Sequence, residues 1–317
     1  MYRYSNALRE GFCMISWTGS DKPIKAVGLI GCGTMGRCMT PHLMAGGYKL
    51  SVYDPLPAAV EFARISGATV KASPAELARD CKLIIMSLPG PEQIEDAVFG
   101  PGGVYESLTS DHVLVDTSTV DPDTTRSVGK KVAEKGSAYL DCPILGRPST
   151  VGNWMLPTGG DEKILDYVRP VLLCFAANAV LVGPQGAGNA VKLLNQLMFS
   201  AINAICSEVL AICGRVGIDK ELFHRTVGES NAATVSRLFR ETGKTIVNDT
   251  FTTPNFTIDL LLKDTKLALQ MAKDAGVPSL VAGGVQLFNE LAAARGLGSQ
   301  DTSALYKIFQ HNFAKEL

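Results

Sequence analysis

Lys192 lies in an otherwise apolar run, "GAGNAVKLLNQLMFSAINAICSEVLAICG", that reads as a buried helix. Taking an ammonium out of water is costly unless it is paired or gives up its proton. Such a lysine either threads its head back to solvent or transfers protons. Asn195 follows one helical turn later and projects from the same face. A second cluster of chemistry-bearing residues is "GCGTMG", where Gly31, Gly33 and Gly36 enclose Thr34 and Met35 in a Gly-x-Gly-x-x-Gly pattern. There the first glycine permits a tight turn and the second lets a pyrophosphate approach the backbone. The third lets a helix pack closely on a sheet, with its N-terminus toward the anion. Asp54 closes the next apolar run, 18 positions after Gly36. That is close to the spacing of the acid that binds an adenosine ribose, and a carboxylate there repels a 2′-phosphate. No arginine follows in "DPLPAA", so NAD is the expected cofactor and NADP the alternative.

Other chemistry finds less support. His42, His112, His224 and His311 share no motif, so a His–Asp proton relay is not indicated and the four read as structural. Eight cysteines form no Cys-x-x-Cys and have no histidine at zinc-ligand spacing, so no metal site is expected. They read as free thiols in a reducing compartment, which points to the cytoplasm, with the mitochondrial matrix as the alternative.

The elements that must position these residues alternate from Ile24 onward. "IKAVGLIG", "YKLSVYD", "TVKA", "KLIIMSLP" and "VLVDTST" read as strands separated by helical patterns, and "AYLDCPI", "WMLPTGG" and "AVLVG" follow as later strands. "SPAELARD" reads as a capped helix, and Pro122 sits in the first turn of another helix beginning near Thr119. This is the pattern of a mostly parallel sheet covered on both faces. After Gly183-Pro184 nearly everything reads as helix. The expected class is therefore α/β, a Rossmann dinucleotide-binding domain over residues 25–184 followed by an all-α domain over 185–317, with residues 1–24 as an extension.

The 317 residues carry a formal net charge of −1, so bulk electrostatics points to neither nucleic acid nor a membrane surface. Lys192, Asn195 and Glu208 interrupt the best spanning candidate, and no transmembrane segment is expected. The expected partner is a small-molecule substrate.

"GLIGCGTMG", "DTSTVDP", "GPQGAGNAVKLLNQ" and "FTIDLLLKDTKLAL" occur in that order, and together they resemble the β-hydroxyacid dehydrogenase family, which includes 3-hydroxyisobutyrate dehydrogenases and tartronate semialdehyde reductases. The resemblance spans about residues 25–310 and implies a homodimer or homotetramer. It assigns Lys192 as catalytic acid/base and Asn195 as the residue that orients substrate. It places Leu88, Pro89 and Gln93 along the cofactor groove and Thr119 beside nicotinamide and substrate. It also implies that Lys263 reaches back to the cofactor. The implied activity is hydride transfer between nicotinamide and a small 3-hydroxy acid or its semialdehyde.

One stretch departs from the family pattern. Where members carry "Asp-Ala-Pro-Val-Ser-Gly-Gly" to cradle the substrate carboxylate, this chain has Asp141-Cys142-Pro143-Ile144-Leu145-Gly146-Arg147. Leu145 removes a hydroxyl, Gly146 alone remains of the usual anchors, and Arg147 either binds a carboxylate with its fork or turns outward to solvent or a partner subunit. Trp154 adds bulk nearby, and Gln196 replaces a second asparagine after Asn195. Two other readings stay open: a reductase of a carbonyl or imine lacking a carboxylate, and a non-catalytic cofactor-binding module.

Overall fold

The computed structural model describes residues 23–310, which divide into two compact units. Residues 1–22 of the expected extension lie outside the described part. The first unit comprises the described residues up to Ser118, then Pro122–Gly146 and Thr150–Gly188. Its strands are β1 (Ala26–Ile30), β2 (Lys49–Tyr53), β3 (Thr69–Val70), β4 (Leu83–Met86), β5 (Val113–Asp116), β6 (Ala138–Asp141), β7 (Trp154–Gly159) and β8 (Ala176–Gly183). They form one sheet in the order β3-β2-β1-β4-β5-β6-β7-β8. The first six strands follow the doubly wound dinucleotide-binding order.

Every residue of β4, β5 and β6 is buried. Successive side chains point to opposite faces, so both faces of the sheet are covered there. All neighbours pair in parallel except β6 and β7, which meet antiparallel through Asp141 and Gly159. The unit's helices are α1 (Thr34–Ala45), α2 (Pro57–Ile65), α3 (Pro74–Asp80), α4 (Pro91–Phe99), α5 (Pro122–Ala133) and α6 (Glu162–Leu172). Proline occupies the first turn of α2, α3 and α4, where its missing N–H costs nothing. Ser73 caps α3 by accepting from Glu76 N at 3.1 Å, and Glu76 accepts in return from Ala72 N at 2.8 Å. The Ser73 cap, with Glu76 tying down the residue before it, explains why "SPAELARD" starts a helix at that point.

The second unit comprises Thr119–Asp121, Arg147–Ser149 and the chain from Asn189 onward. Its helices are α7 (Ala187–Arg215), α8 (Lys220–Gly228), α9 (Arg237–Val247), α10 (Ile258–Asp274), α11 (Leu280–Ala292) and α12 (Tyr306–Gln310). "AATVSRLFRETG" becomes helical only at Arg237, because the Ser236 hydroxyl accepts from Phe239 N at 2.9 Å and sets the start there. α11 ends in a π turn, with Gly296 at φ 79°. The final helix is preceded by a 3-10 turn over Thr302–Leu305, and residues 311–317 lie outside the described part.

α7 is the longest helix of the second unit. Its 29 residues, with a mean hydropathy of 1.7 over its most apolar window, are long and apolar enough to cross a membrane despite the three polar interruptions. Its two sides are arranged unusually. Gln196, Ser200, Asn203 and Ser207 are buried, whereas Leu194, Met198, Ile205 and Ile212 are exposed. The inward side combines these hydrogen-bonding groups with buried Leu193, Ala204, Leu210 and Ala211, and the outward side carries an apolar stripe.

Candidate active site

The glycine loop of the first unit separates what packing demands from what a ligand would use. Gly31 has φ +92°, and a Cβ there would lie 2.2 Å from the Ser87 carbonyl oxygen. A Cβ on Gly36 would lie 2.1 Å from the Gly31 oxygen, so α1 packs directly on the turn. Gly33 is different, because a Cβ there would meet nothing within 4 Å. Gly33 and Thr34 are exposed and Met35 is half-buried at the start of α1. The second glycine therefore faces open space in front of a helix N-terminus, where a pyrophosphate fits.

Asp54 is buried just after β2. Its Oδ2 accepts from Cys32 N at 2.7 Å and its Oδ1 from Leu56 N at 2.9 Å, so the carboxylate is fixed against the loop. Arg37 was not singled out by sequence reasoning. Its guanidinium donates to the carbonyls of Cys32 and Ala58 and lies over the Phe62 ring. It stands one helical turn after Gly33, a position whose only sequence signal was its place in α1. Leu88 follows β4 with its N–H bonded to the Ser118 hydroxyl at 2.9 Å, Pro89 is exposed, and Gln93 is exposed on α4.

The glycines before Lys192 also have a packing cause. Gly186, at φ +89°, donates its N–H to Asp141 Oδ1 at 2.8 Å. A Cβ on Gly188 would lie 2.5 Å from the Pro157 oxygen and 2.7 Å from that of Asp141. The start of α7 is thus pressed onto the ends of β6 and β7, and the buried carboxylate meets a helix N-terminus, where negative charge is favoured.

Within the second unit, Lys192 shares its surroundings with two charges from α10. Burial pushes its ammonium below the ordinary lysine range; Asp264 opposes this by holding the proton, and Lys263 adds to it by repulsion. Asp264 is buried, accepts from Gln196 Nε2 at 2.7 Å and pairs with Lys263 Nζ at 2.9 Å. Lys263 also donates to the Thr119 carbonyl at 2.7 Å. Asn189, fully buried on α7, accepts from Val120 N at 3.2 Å and fixes the same short segment.

Asn195 is exposed and donates to Gln196 Oε1 at 3.4 Å. At about 100° per residue, i+4 lies nearer the direction of Lys192 than i+3 does. Gln196, rather than Asn195, therefore joins the buried charge network. The signal for Asp264 lay in the pattern of α10. Leu261, Asp264, Thr265 and Ala268 share the buried face, which puts a carboxylate inside.

Arg147 forms an ion pair with Glu241 of α9 and lies over the Phe199 ring, 5.9 Å from its centroid. Leu145 forms a β-bridge with Met155. Trp154 does not crowd a pocket. It is fully buried in the first unit's core, edge-on to Phe175, and a Cβ on Gly146 would lie 2.1 Å from its ring. Its bulk is what keeps residue 146 a glycine.

Of the histidines, His112 is buried with Nε2 at 2.8 Å from the Ala78 oxygen, and His42 and His224 also face backbone carbonyls. His311 lies outside the described residues. Among the described residues no group of three or more His, Cys, Asp or Glu side chains is placed to hold a metal ion.

Comparison with known proteins places this architecture. Residues 26–183 match the profile described as the NAD binding domain of 6-phosphogluconate dehydrogenase. Residues 186–309 match that described as NAD-binding of NADP-dependent 3-hydroxyisobutyrate dehydrogenase. A curated 2-(hydroxymethyl)glutarate dehydrogenase from Eubacterium barkeri is 32% identical over 92% of this chain and 96% of its own. The chain belongs to the β-hydroxyacid dehydrogenase family. A second family member, 3-sulfolactaldehyde reductase from Escherichia coli K12, is 31% identical over 88% of this chain and 94% of its own. The crystal structure of 3-hydroxyisobutyrate dehydrogenase from Salmonella typhimurium superposes with a TM-score of 0.83 at 25% identity, covering 90% of this chain and all of that one. As a β-hydroxyacid dehydrogenase, this protein is an oxidoreductase that binds NAD or NADP.

Proposed function

We propose that this β-hydroxyacid dehydrogenase interconverts a small 3-hydroxy acid and its semialdehyde, with Lys192 as the general acid/base and NAD as the preferred cofactor. The nicotinamide supplies the hydride acceptor in oxidation and the donor in reduction. Lys192 takes the hydroxyl proton in oxidation and returns it in reduction, so proton and hydride leave and rejoin the same C–O unit. The observation that carries this reading is the desolvated Lys192 amine beside Lys263 and Asp264, which brings its proton affinity toward working pH. Thr119 and Asn195, both accessible, are neutral donors suited to the substrate's acid group. Asp54 supports NAD through the ribose hydroxyls. Arg37, in the first turn of α1, provides a cation that would tolerate a 2′-phosphate.

The named relatives support the substrate class, since 2-(hydroxymethyl)glutarate, 3-sulfolactaldehyde and 3-hydroxyisobutyrate each set an alcohol or aldehyde close to an acid group. The lost serine and the engagement of Arg147 with Glu241 favour a second reading, reduction of a carbonyl or imine without a carboxylate. A paired assay separates the two. Nicotinamide absorbance is followed with NAD and NADP across 3-hydroxy acids, their semialdehydes and matched compounds lacking the carboxylate. Turnover confined to carboxylated compounds is the expected result; turnover confined to the others overturns it. Lys192→Ala should lower kcat by roughly 10²–10⁴ while cofactor affinity changes little, and near wild-type turnover removes Lys192 from the mechanism.

We further infer a homo-oligomer in which a second copy covers the outward apolar stripe of α7. A helix that turns its amides and hydroxyls inward and Leu194, Met198, Ile205 and Ile212 outward is poorly suited to water on that side.

A further inference from the structure

One feature of the helical unit is used by neither the proton nor the hydride chemistry. A cavity of about 470 Å³ opens beside Arg147, walled by polar residues near the end of α9 and in the loop that follows it, by Phe199 and Phe256, and by Asp301 and Thr302. Its volume falls in the range that holds a whole small ligand, about 300–1,000 Å³. Its chemistry is unlike that of most ligand sites, which are predominantly apolar. Phe199 and Phe256 are the only apolar side chains in the wall, and they meet edge to face with centroids 5.8 Å apart. Threonine hydroxyls, asparagine amides and charged groups make up the rest.

The charges in that wall balance. Arg147 and Lys244 stand against Glu241 and Asp301. Asp301 already accepts from Asn255 N at 3.1 Å and Ser303 N at 3.0 Å. Glu241 takes Arg147 on one oxygen and Arg237 Nε on the other, at 2.8 Å for the latter. A second carboxylate entering at the Arg147 side would compete with Glu241 for its arginines. A hydroxyl both donates and accepts, so it can bond to guanidinium and carboxylate without breaking their pairing. The aromatic pair offers a surface for the carbon chain between hydroxyls. The cavity is also tied to the acid/base by the helix itself, since Phe199 lies seven residues beyond Lys192 on the same face of α7.

We propose that this cavity seats the distal chain of the substrate and that this chain is polyhydroxylated, making the preferred substrate a sugar acid rather than an unsubstituted 3-hydroxy acid. The proposal rests on the hydroxyacid reading above and narrows its substrate class. The test compares kcat/KM for aldonic acids of increasing length with deoxy and dicarboxylic acids of equal length, in the wild type, Glu241→Gln and Thr253→Trp. Thr253 is an exposed wall residue, so its replacement closes the cavity without touching the core. The expected result is at least a tenfold preference for the hydroxylated acids, lost in both variants. Equal use of the deoxy acids, a preference for dicarboxylates, or a preference that survives both variants overturns the proposal. Titration calorimetry of the cofactor-free protein with the same aldonic acids separates this from failure of the hydroxyacid reading. If no hydroxy acid is turned over, that reading fails, and aldonate binding that Thr253→Trp abolishes still upholds the cavity assignment; no aldonate binding ends it.

Discussion

At the scale of single residues, the proton chemistry depends on how one amine is surrounded. Lys192 is desolvated, repelled by Lys263 and attracted by Asp264, and desolvation dominates. Oxidation needs the neutral amine, so its rate should rise with pH through the Lys192 pKa, below the ordinary lysine value of about 10.4. Asp264 favours the charged form. Asp264→Asn removes that attraction, so less alkaline conditions suffice to deprotonate Lys192, and the acid limb of the oxidation profile should move to lower pH. A pH–rate series on the variant checks this. An unmoved limb means that Asp264 serves packing alone. Gln196 belongs to the same calculation, because it holds the second oxygen of Asp264 at 2.7 Å.

At the scale of elements, two close approaches depend on the absence of a side chain. α7 begins against β6 and β7 because residue 188 has no side chain, and the backbone carbonyls of Asp141 and Pro157 occupy the space a Cβ would need. On the same sheet, Trp154 of β7 fills the volume over Gly146 and packs edge-on to Phe175. Trp154→Ala should lower unfolding free energy by about 3–5 kcal/mol, the usual cost of emptying a fully buried aromatic site. Urea unfolding measures it. A loss under about 1 kcal/mol would mean that the neighbouring strands collapse into the space. Because the ring lies in the core, the variant's effect belongs to stability rather than to substrate choice.

At the scale of the whole molecule, the unresolved physical demand is the outward face of α7. Leu194, Met198, Ile205 and Ile212 recur on one exposed side of a long helix whose buried side mixes apolar residues with Gln196, Ser200, Asn203 and Ser207. A second copy that covers this stripe accounts for both sides at once. The double variant Met198→Glu/Ile205→Glu places like charges in the contact and should shift the species seen by analytical ultracentrifugation to the monomer at micromolar concentration. A wild-type chain that is already monomeric overturns the oligomer, and a variant that keeps the oligomer places the contact elsewhere.

Much of this protein follows from local sequence. The glycine spacing around Gly31, Gly33 and Gly36, the acid at Asp54, and the alternation of apolar runs with helical periods identify the dinucleotide-binding fold. Each is a short-range steric or burial rule that a few neighbouring residues satisfy. The lysine on α7 is legible for the same reason, since a charge in an apolar run is conspicuous wherever the chain folds. Partner choice is not local. Arg147 meets Glu241 across 94 positions, Gln196 meets Asp264 across 68, and Lys263 meets Thr119 across 144. Spacing carries no information about such pairs, because loop closure can bring many candidates together at similar entropic cost. Only the tertiary structure decides that Arg147 is balanced by a carboxylate, that Trp154 fills the core, and that Gln196 shares the buried charge with the lysines.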